Sequence, residues 1–338
     1  MDEFQLIARY LKPLAAAEPG ALGLADDAAV LGLPPGSDLV VTTDMLVEGV
    51  HFRSDDPPDS VGVKALAVNL SDLAAMGAEP RAYVLALGLP AAWPEIRRAD
   101  WLAAFTTGLA QGQEAFAIAL AGGDTVATPG PLSIAITAIG ISPAAAGAMR
   151  RSAARCDDDV WVSGTIGDGA LGLMLLDGNL QLGNAGLEQE LVDRYRRPRP
   201  RLALGRHLAE RAHACADVSD GLVADLGHIC EESSKAAIIE RDCIPLSEAA
   251  RAAVALRPEL WATILTGGDD YELVFTAAAA DSAWIREVAE GSATAVSRIG
   301  KITEATTSGV PEPVVALRDG DGHPIALQAS GWRYFRNT

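Results

Sequence analysis

Residues 64–78 read KALAVNLSDLAAMGA, and the fold turns on this stretch. At the helical period Ala65, Leu66, Val68, Leu70, Leu73, Ala74 and Met76 leave almost no solvated face, which predicts a buried helix. Asn69 and Asp72 are three residues apart and so lie on one side of it. A bare carboxylate in that setting is costly unless something positive meets it. Two readings stand: Asp72 pairs with a cation, or Asn69 and Asp72 cap a neighbouring segment. Taken alone the second is favoured, because structural pairs also produce buried acids.

Upstream of this helix, residues 54–60 (SDDPPDS) form a loop rich in capping residues. Before it, residues 39–43 (LVVTT) read as a strand by their β-branched content, with Asp44 at the point where strand gives way to loop. Two hydroxyls and a carboxylate, Thr42, Thr43 and Asp44, suit a hard cation there. Alone, Asp44 is more often a turn or cap residue. Residues 3–16 predict a short amphipathic helix ending near Pro13, and Asp26-Asp27 follow in a Gly-rich approach.

Downstream, residues 81–89 read as a strand and 94–116 as a helix with Trp101, Leu102, Phe105 and Leu109 on one face. A strand at 117–121 leads into Gly122-Gly123-Asp124-Thr125, and 132–141 is another strand. Strand, helix, strand, helix, strand, strand is an α/β or α+β order. The small-residue stretch 142–148 (SPAAAGA) predicts a boundary between domains at 1–142 and 149–338.

The second half offers a dinucleotide-like fingerprint, Gly167-Asp168-Gly169-Ala170-Leu171-Gly172, after a strand and at the start of a helix. That fold requires a second parallel strand ending in an acid about 20 residues on. Residues 186–196 read instead as helix, so the glycines predict a tight strand-to-helix turn. The basic run 196–201 (RRPRPR) reads first as a solvated turn, with an interdomain or phosphate contact as the alternative. Then come Asp217-Val218-Ser219-Asp220-Gly221-Leu222 before a helix, and a second Gly-Gly-Asp at 267–269 beside a strand. Asp220 alone would serve as an N-cap.

The chain has 338 residues, 49% hydrophobic and 21% charged, with a formal net charge of -18. That argues against nucleic acid or an anionic membrane surface as partner. Cys156, Cys215, Cys230 and Cys243 form no C-x-x-C pair, and no apolar run reaches membrane-spanning length. Free thiols and the absence of a signal-peptide pattern predict a cytoplasmic protein.

Asp27, Asp44, Asp72, Asp124, Asp217 and Asp220 share a habit: each lies in a Gly, Ser or Thr setting or on an apolar element. Oxygen ligands without His or Cys clusters point to Mg²⁺ or Mn²⁺, ions that bind a few carboxylates plus substrate phosphates. Several such acids suggest two or more ions on a nucleotide. No Walker A motif, kinase H-R-D or D-F-G set, or G-x-S-x-G elbow is present.

The segments DDAAV (26–30), TTDMLVEGVHF (42–52), KALAVNLSDLAAMGA (64–78), GGDT (122–125), DVSDGL (217–222) and GGDDYEL (267–273) resemble thiamine-monophosphate kinase, a family of the aminoimidazole ribonucleotide synthetase superfamily. The resemblance runs in order through essentially the whole chain. It implies a two-domain α/β fold, with N-terminal domains pairing sheets across a homodimer. It implies an ATP-dependent phosphorylation of thiamine monophosphate to thiamine diphosphate. By motif match Asp27, Thr42, Thr43, Asp44, Asp72, Asp124, Asp217 and Asp220 hold several magnesium ions. Gly123, Asp124, Arg151 and Ser219 touch ATP, and His51, Asp269 and Trp332 face the thiamine phosphate. The acceptor is an anionic phosphate oxygen, so no general base is expected. The sequence departs from the family at Asp269, where Glu is usual, and at Glu114 or Ala115, where some members carry a tyrosine near the adenine. The competing readings are another ATP-using enzyme of the superfamily and a non-catalytic metal- or nucleotide-binding module.

Overall fold

A computed structural model describes residues 3–26, 28–305, 314–327 and 331. The chain divides into two compact units, Met1–Leu73 with Ala78–Gly147, and Ala74–Gly77 with Ala148–Thr338.

The first unit opens with a helical stretch that begins as α1 (Glu3–Leu6), widens into a π turn (Ile7–Leu11) and tightens into a 3₁₀ turn (Lys12–Ala15). Pro13 falls within the 3₁₀ turn, where its missing N–H costs nothing. Then follow β1 (Leu39–Val47), α2 (Pro58–Ala75), β2 (Glu79–Pro90), α3 (Glu95–Phe116), β3 (Ala119–Thr128) and β4 (Ser133–Ile141). This is the order read from the sequence. The strands lie β1-β4-β2-β3; β4 is antiparallel to both neighbours, and β2 and β3 are parallel.

Two strands outrun their sequence readings. β1 continues through Asp44 to Val47, because β4 offers a partner at every position, Asp44 opposite Ile136 among them. β3 carries Gly122-Gly123-Asp124-Thr125 within the strand, paired to β2. α2 is buried on nearly every side: Ala65, Leu66, Ala67, Leu70 and Leu73 expose no surface. Its approach to α3 depends on glycine. A Cβ on Gly108 would stand 1.9 Å from the Asp59 carbonyl oxygen, and one on Gly62 would stand 2.3 Å from that of Phe105. Helix-interior glycine costs backbone entropy and here permits the backbones to touch.

The second unit holds a seven-stranded sheet in the order β11-β10-β7-β9-β5-β8-β6. In chain order its elements are β5 (Asp159–Ser163), α4 (Asp168–Leu176), α5 (Ala185–Arg196), α6 (Leu202–Leu208), β6 (Ala214–Asp217), α7 (Leu222–Glu232) and β7 (Lys235–Glu240). After these come α8 (Glu248–Leu256), α9 (Leu260–Thr266), β8 (Leu273–Ala277), α10 (Ser282–Gly291), β9 (Val296–Glu304), β10 (Val315–Arg318) and β11 (Pro324–Ile325). The central strands are buried on both faces. Val160, Val162, Ala216 and Val274 enter one apolar cluster, and Trp161, Cys215, Leu273 and Phe275 enter another with Leu204, Leu208 and Ile285. Alternate residues of a strand point to opposite faces, so a sheet covered twice reads as a continuous apolar run.

The dinucleotide-like glycines meet a packing demand. Gly167 has φ +89, and a Cβ there would stand 2.6 Å from Ile264; a Cβ on Gly169 would stand 2.3 Å from the Asp269 carbonyl oxygen. α4 is followed by helix α5, as the sequence predicts.

Candidate active site

In the first unit α2 meets β1 through two polar contacts. Asn69, fully buried, accepts the backbone N–H of Asp44 at 3.1 Å and donates from Nδ2 to the Ala65 carbonyl at 3.1 Å. The Thr42 hydroxyl donates to the Asp72 carboxylate. Thr42 and Asp44 alternate along β1 and so share the face that Asp72 approaches. Asn69 thus satisfies a β1 amide, as the capping reading expects, and Asp72 accepts a β1 hydroxyl. Thr43 points to the opposite face. Its hydroxyl donates to the Ile136 carbonyl at 3.1 Å and accepts from Thr137 at 3.1 Å. Its hydroxyl therefore lies on the other face of β1 from Thr42, Asp44 and Asp72.

His51 sits in the turn after β1. Its Nδ1 accepts the Val47 N–H at 3.0 Å, which puts the proton of the neutral ring on Nε2. The turn is closed by the His51 N–H on the Val47 carbonyl at 3.0 Å and the Gly49 N–H on that of Phe52 at 2.8 Å.

On the opposite edge of the same sheet, β3 borders a cavity of about 210 Å³ lined by Asp26, Leu85, Gly122, Gly123, Asp124 and Thr125 among others. Gly123 admits no side chain, since a Cβ would stand 2.0 Å from the Leu85 carbonyl oxygen. Asp124 is exposed, and its carboxylate accepts the Thr125 N–H at 2.8 Å. β1 and β3 are three strand spacings apart, roughly 14 Å measured along the sheet. Asp27 lies outside the described residues. Glu114 and Ala115 are exposed near the end of α3.

In the second unit, Asp217 ends edge strand β6, and the chain turns through Val218-Ser219-Asp220-Gly221 into α7. Gly221 takes φ +122, a conformation that favours glycine. Asp225 accepts the N–H groups of Ser219, Asp220 and Gly221. Burial first, and then the neighbouring Asp220, push the Asp225 carboxyl up to about 7. The Asp220 carboxyl is also raised, by burial first and then by Asp269, while His228 and Arg151 pull it down. The Arg151 charge thus acts directly on this loop. Asp269 joins the same place: its N–H bonds to the Ser219 carbonyl at 3.0 Å, and its carboxylate accepts from the Tyr271 hydroxyl at 3.2 Å. Asp269 and Tyr271 hold φ of +71 and +52, left-handed values that non-glycine residues seldom adopt and that concentrate at functional sites. Trp332 lies outside the described residues.

Sequence reading missed the polar network beneath that loop. Glu272 exposes no surface and accepts from Ser163 (2.6 Å), Arg194 (2.6 Å) and Arg201 (2.7 Å to Nε). Burial works against the Arg194 charge, but Glu272, Asp168 and Asp270 outweigh it and raise its pKa. Asp270 takes the N–H of Gly167 at 2.7 Å and of Gly169 at 3.1 Å; burial, then Asp168, raise its carboxyl well above the ordinary range. Arg201 is therefore no solvated turn residue. The alternation Asp270-Tyr271-Glu272 before a buried strand was the available signal.

The oxygen donors Thr42, Asp44, Asp72 and Asp124 of the first unit, and separately Asp217 and Asp220 of the second, are of the kind that suits a hard cation such as Mg²⁺. Among the described residues, the group of three whose ligand atoms lie within 4.8 Å of one another is elsewhere: Asp319, Asp321 and His323 in the turn between β10 and β11. Magnesium keeps several waters and uses few carboxylates alongside phosphates, so its protein ligands need not touch one another.

Comparison with known proteins places this architecture. Residues 25–142 match the AIR synthase related protein N-terminal domain, and residues 156–311 match the AIR synthase related protein C-terminal domain. The fold and site therefore define an AIR synthase related protein of two domains. A thiamine-monophosphate kinase of Caulobacter vibrioides is 43% identical over 306 residues, 89% of this chain and 84% of that protein. The crystal structure of thiamine-monophosphate kinase from Stenotrophomonas maltophilia K279a is similar at 42% identity and a TM-score of 0.81, over 96% of this chain and 98% of that one. AaThiL complexed with AMPPCP and TMP is 29% identical, with a TM-score of 0.75, over 94% of this chain and 98% of that one. The chain belongs to the thiamine-monophosphate kinase family and is a thiamine-phosphate kinase.

Proposed function

We propose that this enzyme transfers the γ-phosphoryl group of ATP directly and in line to the phosphate of thiamine monophosphate, giving thiamine diphosphate and ADP, the last step of thiamine diphosphate formation. The observation that carries the reading is the face shared by Thr42, Asp44 and Asp72, where a half-exposed carboxylate rises from an otherwise buried helix. A carboxylate that shares a face with a hydroxyl and a second acid suits a hard cation.

Thr42, Asp44, Asp72, Asp124, Asp217 and Asp220 would hold magnesium, with Asp27 as the motif match assigns it. Bound there, Mg²⁺ would neutralise the phosphate charges that oppose the approach of two polyanions. Gly123 and Asp124 beside their cavity, with Ser219 and the Arg151 charge at the second unit's loop, would bind ATP. His51, with its Nδ1 fixed as an acceptor, would present Nε2–H to the thiamine phosphate. Asp269 would meet that substrate in place of the usual Glu, with Trp332 by motif match. The acceptor oxygen is already anionic, so no side chain takes a proton and no phosphoenzyme forms. Use of ATP supports a cytoplasmic setting.

A homodimer is supported by β1. Leu39, Val41 and Met45 alternate along this edge strand and are 52%, 59% and 58% exposed, an apolar stripe that a second copy would cover.

Turnover tests the reading. Protein, ATP, thiamine monophosphate and Mg²⁺ are mixed and thiamine diphosphate is resolved by chromatography, with Asp72→Asn alongside. Product that chelation abolishes, and that Asp72→Asn lowers by at least about 100-fold, is expected. Radiolabel from ATP trapped on the protein would overturn direct transfer.

A further inference from the structure

Between β6 and α7 three consecutive backbone amides have left the sheet and have no turn of helix before them. Such donors need a partner or water. Asp225, on the first turn of α7 and 2% exposed, supplies it. One carboxylate oxygen, Oδ2, accepts from Ser219 at 3.0 Å, Asp220 at 3.1 Å and Gly221 at 3.2 Å. Convergent amides of this kind form a nest, which in other proteins cradles an external anion. Here the anion belongs to the chain.

The carbonyl side of the same loop is held as well. The Val218 carbonyl takes the Tyr271 N–H at 2.8 Å, and the Ser219 carbonyl takes that of Asp269. A Cβ on Gly268 would stand 2.2 Å from the Ser219 carbonyl oxygen, so the close approach of the two segments there requires glycine. With the three amides turned to Asp225 and the Val218 and Ser219 carbonyls turned to residues 271 and 269, the loop displays the Ser219 and Asp220 side chains. Ser219 and Asp220 are half-buried, whereas the residues on either side of them, Val218 and Gly221, are buried.

We propose that Asp225 is a positioning residue for phosphoryl transfer: by gathering the three amides it fixes where the Ser219 hydroxyl and the Asp220 carboxylate point, without itself touching nucleotide or metal. This rests on the reading above, in which Ser219 meets ATP and Asp220 holds magnesium. A consequence is that the loop does not bind phosphate through its backbone, as a glycine-rich phosphate loop does. Its amides are already used.

Asp225→Asn and Asp225→Leu test this. Asparagine keeps one acceptor oxygen for the amides and loses the charge; leucine keeps the approximate volume and loses the acceptor. Hydrogen exchange at residues 219–221 is read first, because it needs no substrate. Protection should fall by about tenfold or more in Asp225→Leu and stay near native in Asp225→Asn. In the kinase assay Asp225→Leu should raise the KM for ATP by about tenfold and leave the KM for thiamine monophosphate within about twofold, and Asp225→Asn should stay close to native. Unchanged protection in Asp225→Leu overturns the proposal. So does a raised KM for ATP in Asp225→Asn with protection intact, which would mark Asp225 as a direct metal ligand. A loss of kcat with both KM values unchanged would mark a merely structural role and overturn it too. Should Asp225→Leu fail to fold, Asp225→Ala, which also lacks the acceptor, takes its place with the same expected and overturning results. Failure of the kinase reading is seen separately, as absence of thiamine diphosphate from the native protein.

Discussion

Arg201 meets Glu272 through two nitrogens, and Arg194 reaches the same carboxylate from α5. The glutamate exposes no surface, so among the described residues two guanidinium groups and the Ser163 hydroxyl compensate it for lost water. Breaking one side of a buried ion pair costs about 3–5 kcal/mol, because the remaining charge is left uncompensated. Glu272→Gln should lower the midpoint of thermal unfolding by on the order of 10 °C. Calorimetry checks this; a shift within about 2 °C would mean that the arginines find other partners.

Asn69 makes a comparable but neutral connection. Its removal in Asn69→Leu leaves the Asp44 N–H without its acceptor inside the unit. The cost should be about 1–3 kcal/mol in denaturant unfolding, the penalty of an unsatisfied buried donor. Turnover should fall further than stability, because β1 also carries Thr42 and Asp44. Equal stability of variant and native protein would show that water replaces the amide oxygen.

The fold of the first unit was legible because its elements obey simple periods. Residues 64–78 fill every side of a helix with apolar groups, and the order of strands and helices followed from alternation and turn residues. The strand ends were not legible. Asp44 and the Gly-Gly-Asp-Thr run look like loop by composition, yet β4 and β2 pair with them. Pairing partners distant in sequence override local preference. Among site residues, the motif did not show that the Thr43 hydroxyl faces away from that of Thr42, which follows because strand side chains alternate. Arg201 was misread for a related reason. A basic run says nothing of the buried acid at position 272 that waits for it. Asp225 was hidden by its own modesty, one acid on the first turn of a helix, where capping is the ordinary use.

Thr42→Val keeps the shape of the side chain and removes the hydroxyl that donates to Asp72. A hydrogen bond to a charged group contributes about 1.5–3 kcal/mol, so the Mg²⁺ concentration for half-maximal velocity should rise by about tenfold or more. Thr43→Val should leave it unchanged, because that hydroxyl is spent on Ile136 and Thr137. A metal requirement that moves equally in both variants would contradict the assignment of the two faces.

The cysteines provide a test independent of activity. Cys156 and Cys243 are exposed, and Cys215 and Cys230 are buried. The Cys230 thiol is pushed up to about 12 by burial and then by Glu231, and Cys215 is raised by burial and then by Asp217. Cys243 is raised by what burial it has and by the Glu240 carboxylate that its thiol faces at 3.5 Å. A raised pKa means less thiolate at a given pH, so modification is slow near neutrality and quickens as pH rises toward the raised value. A thiol reagent should titrate two groups in the native protein and four after denaturation. Rapid reaction at pH 7, or more than two accessible groups, would contradict this burial pattern.

The exposed stripe on β1 carries the last expectation. Leu39, Val41 and Met45 present their side chains outward from an edge strand, and an uncovered apolar edge is an aggregation hazard that proteins blunt or bury. Charge is how such an edge is usually blunted, and none stands among these three positions. Covering by a second copy is therefore the consistent solution. The native protein should run at twice its 35.1 kDa chain mass by light scattering, and Val41→Glu should shift it toward the monomer. Val41 is 59% exposed, so the substitution adds a solvated carboxylate and leaves the unit's own core untouched. Its thermal stability at high dilution should accordingly match that of the native chain. A native protein that is monomeric at micromolar concentration, or a Val41→Glu variant that stays dimeric, would remove β1 as the pairing surface.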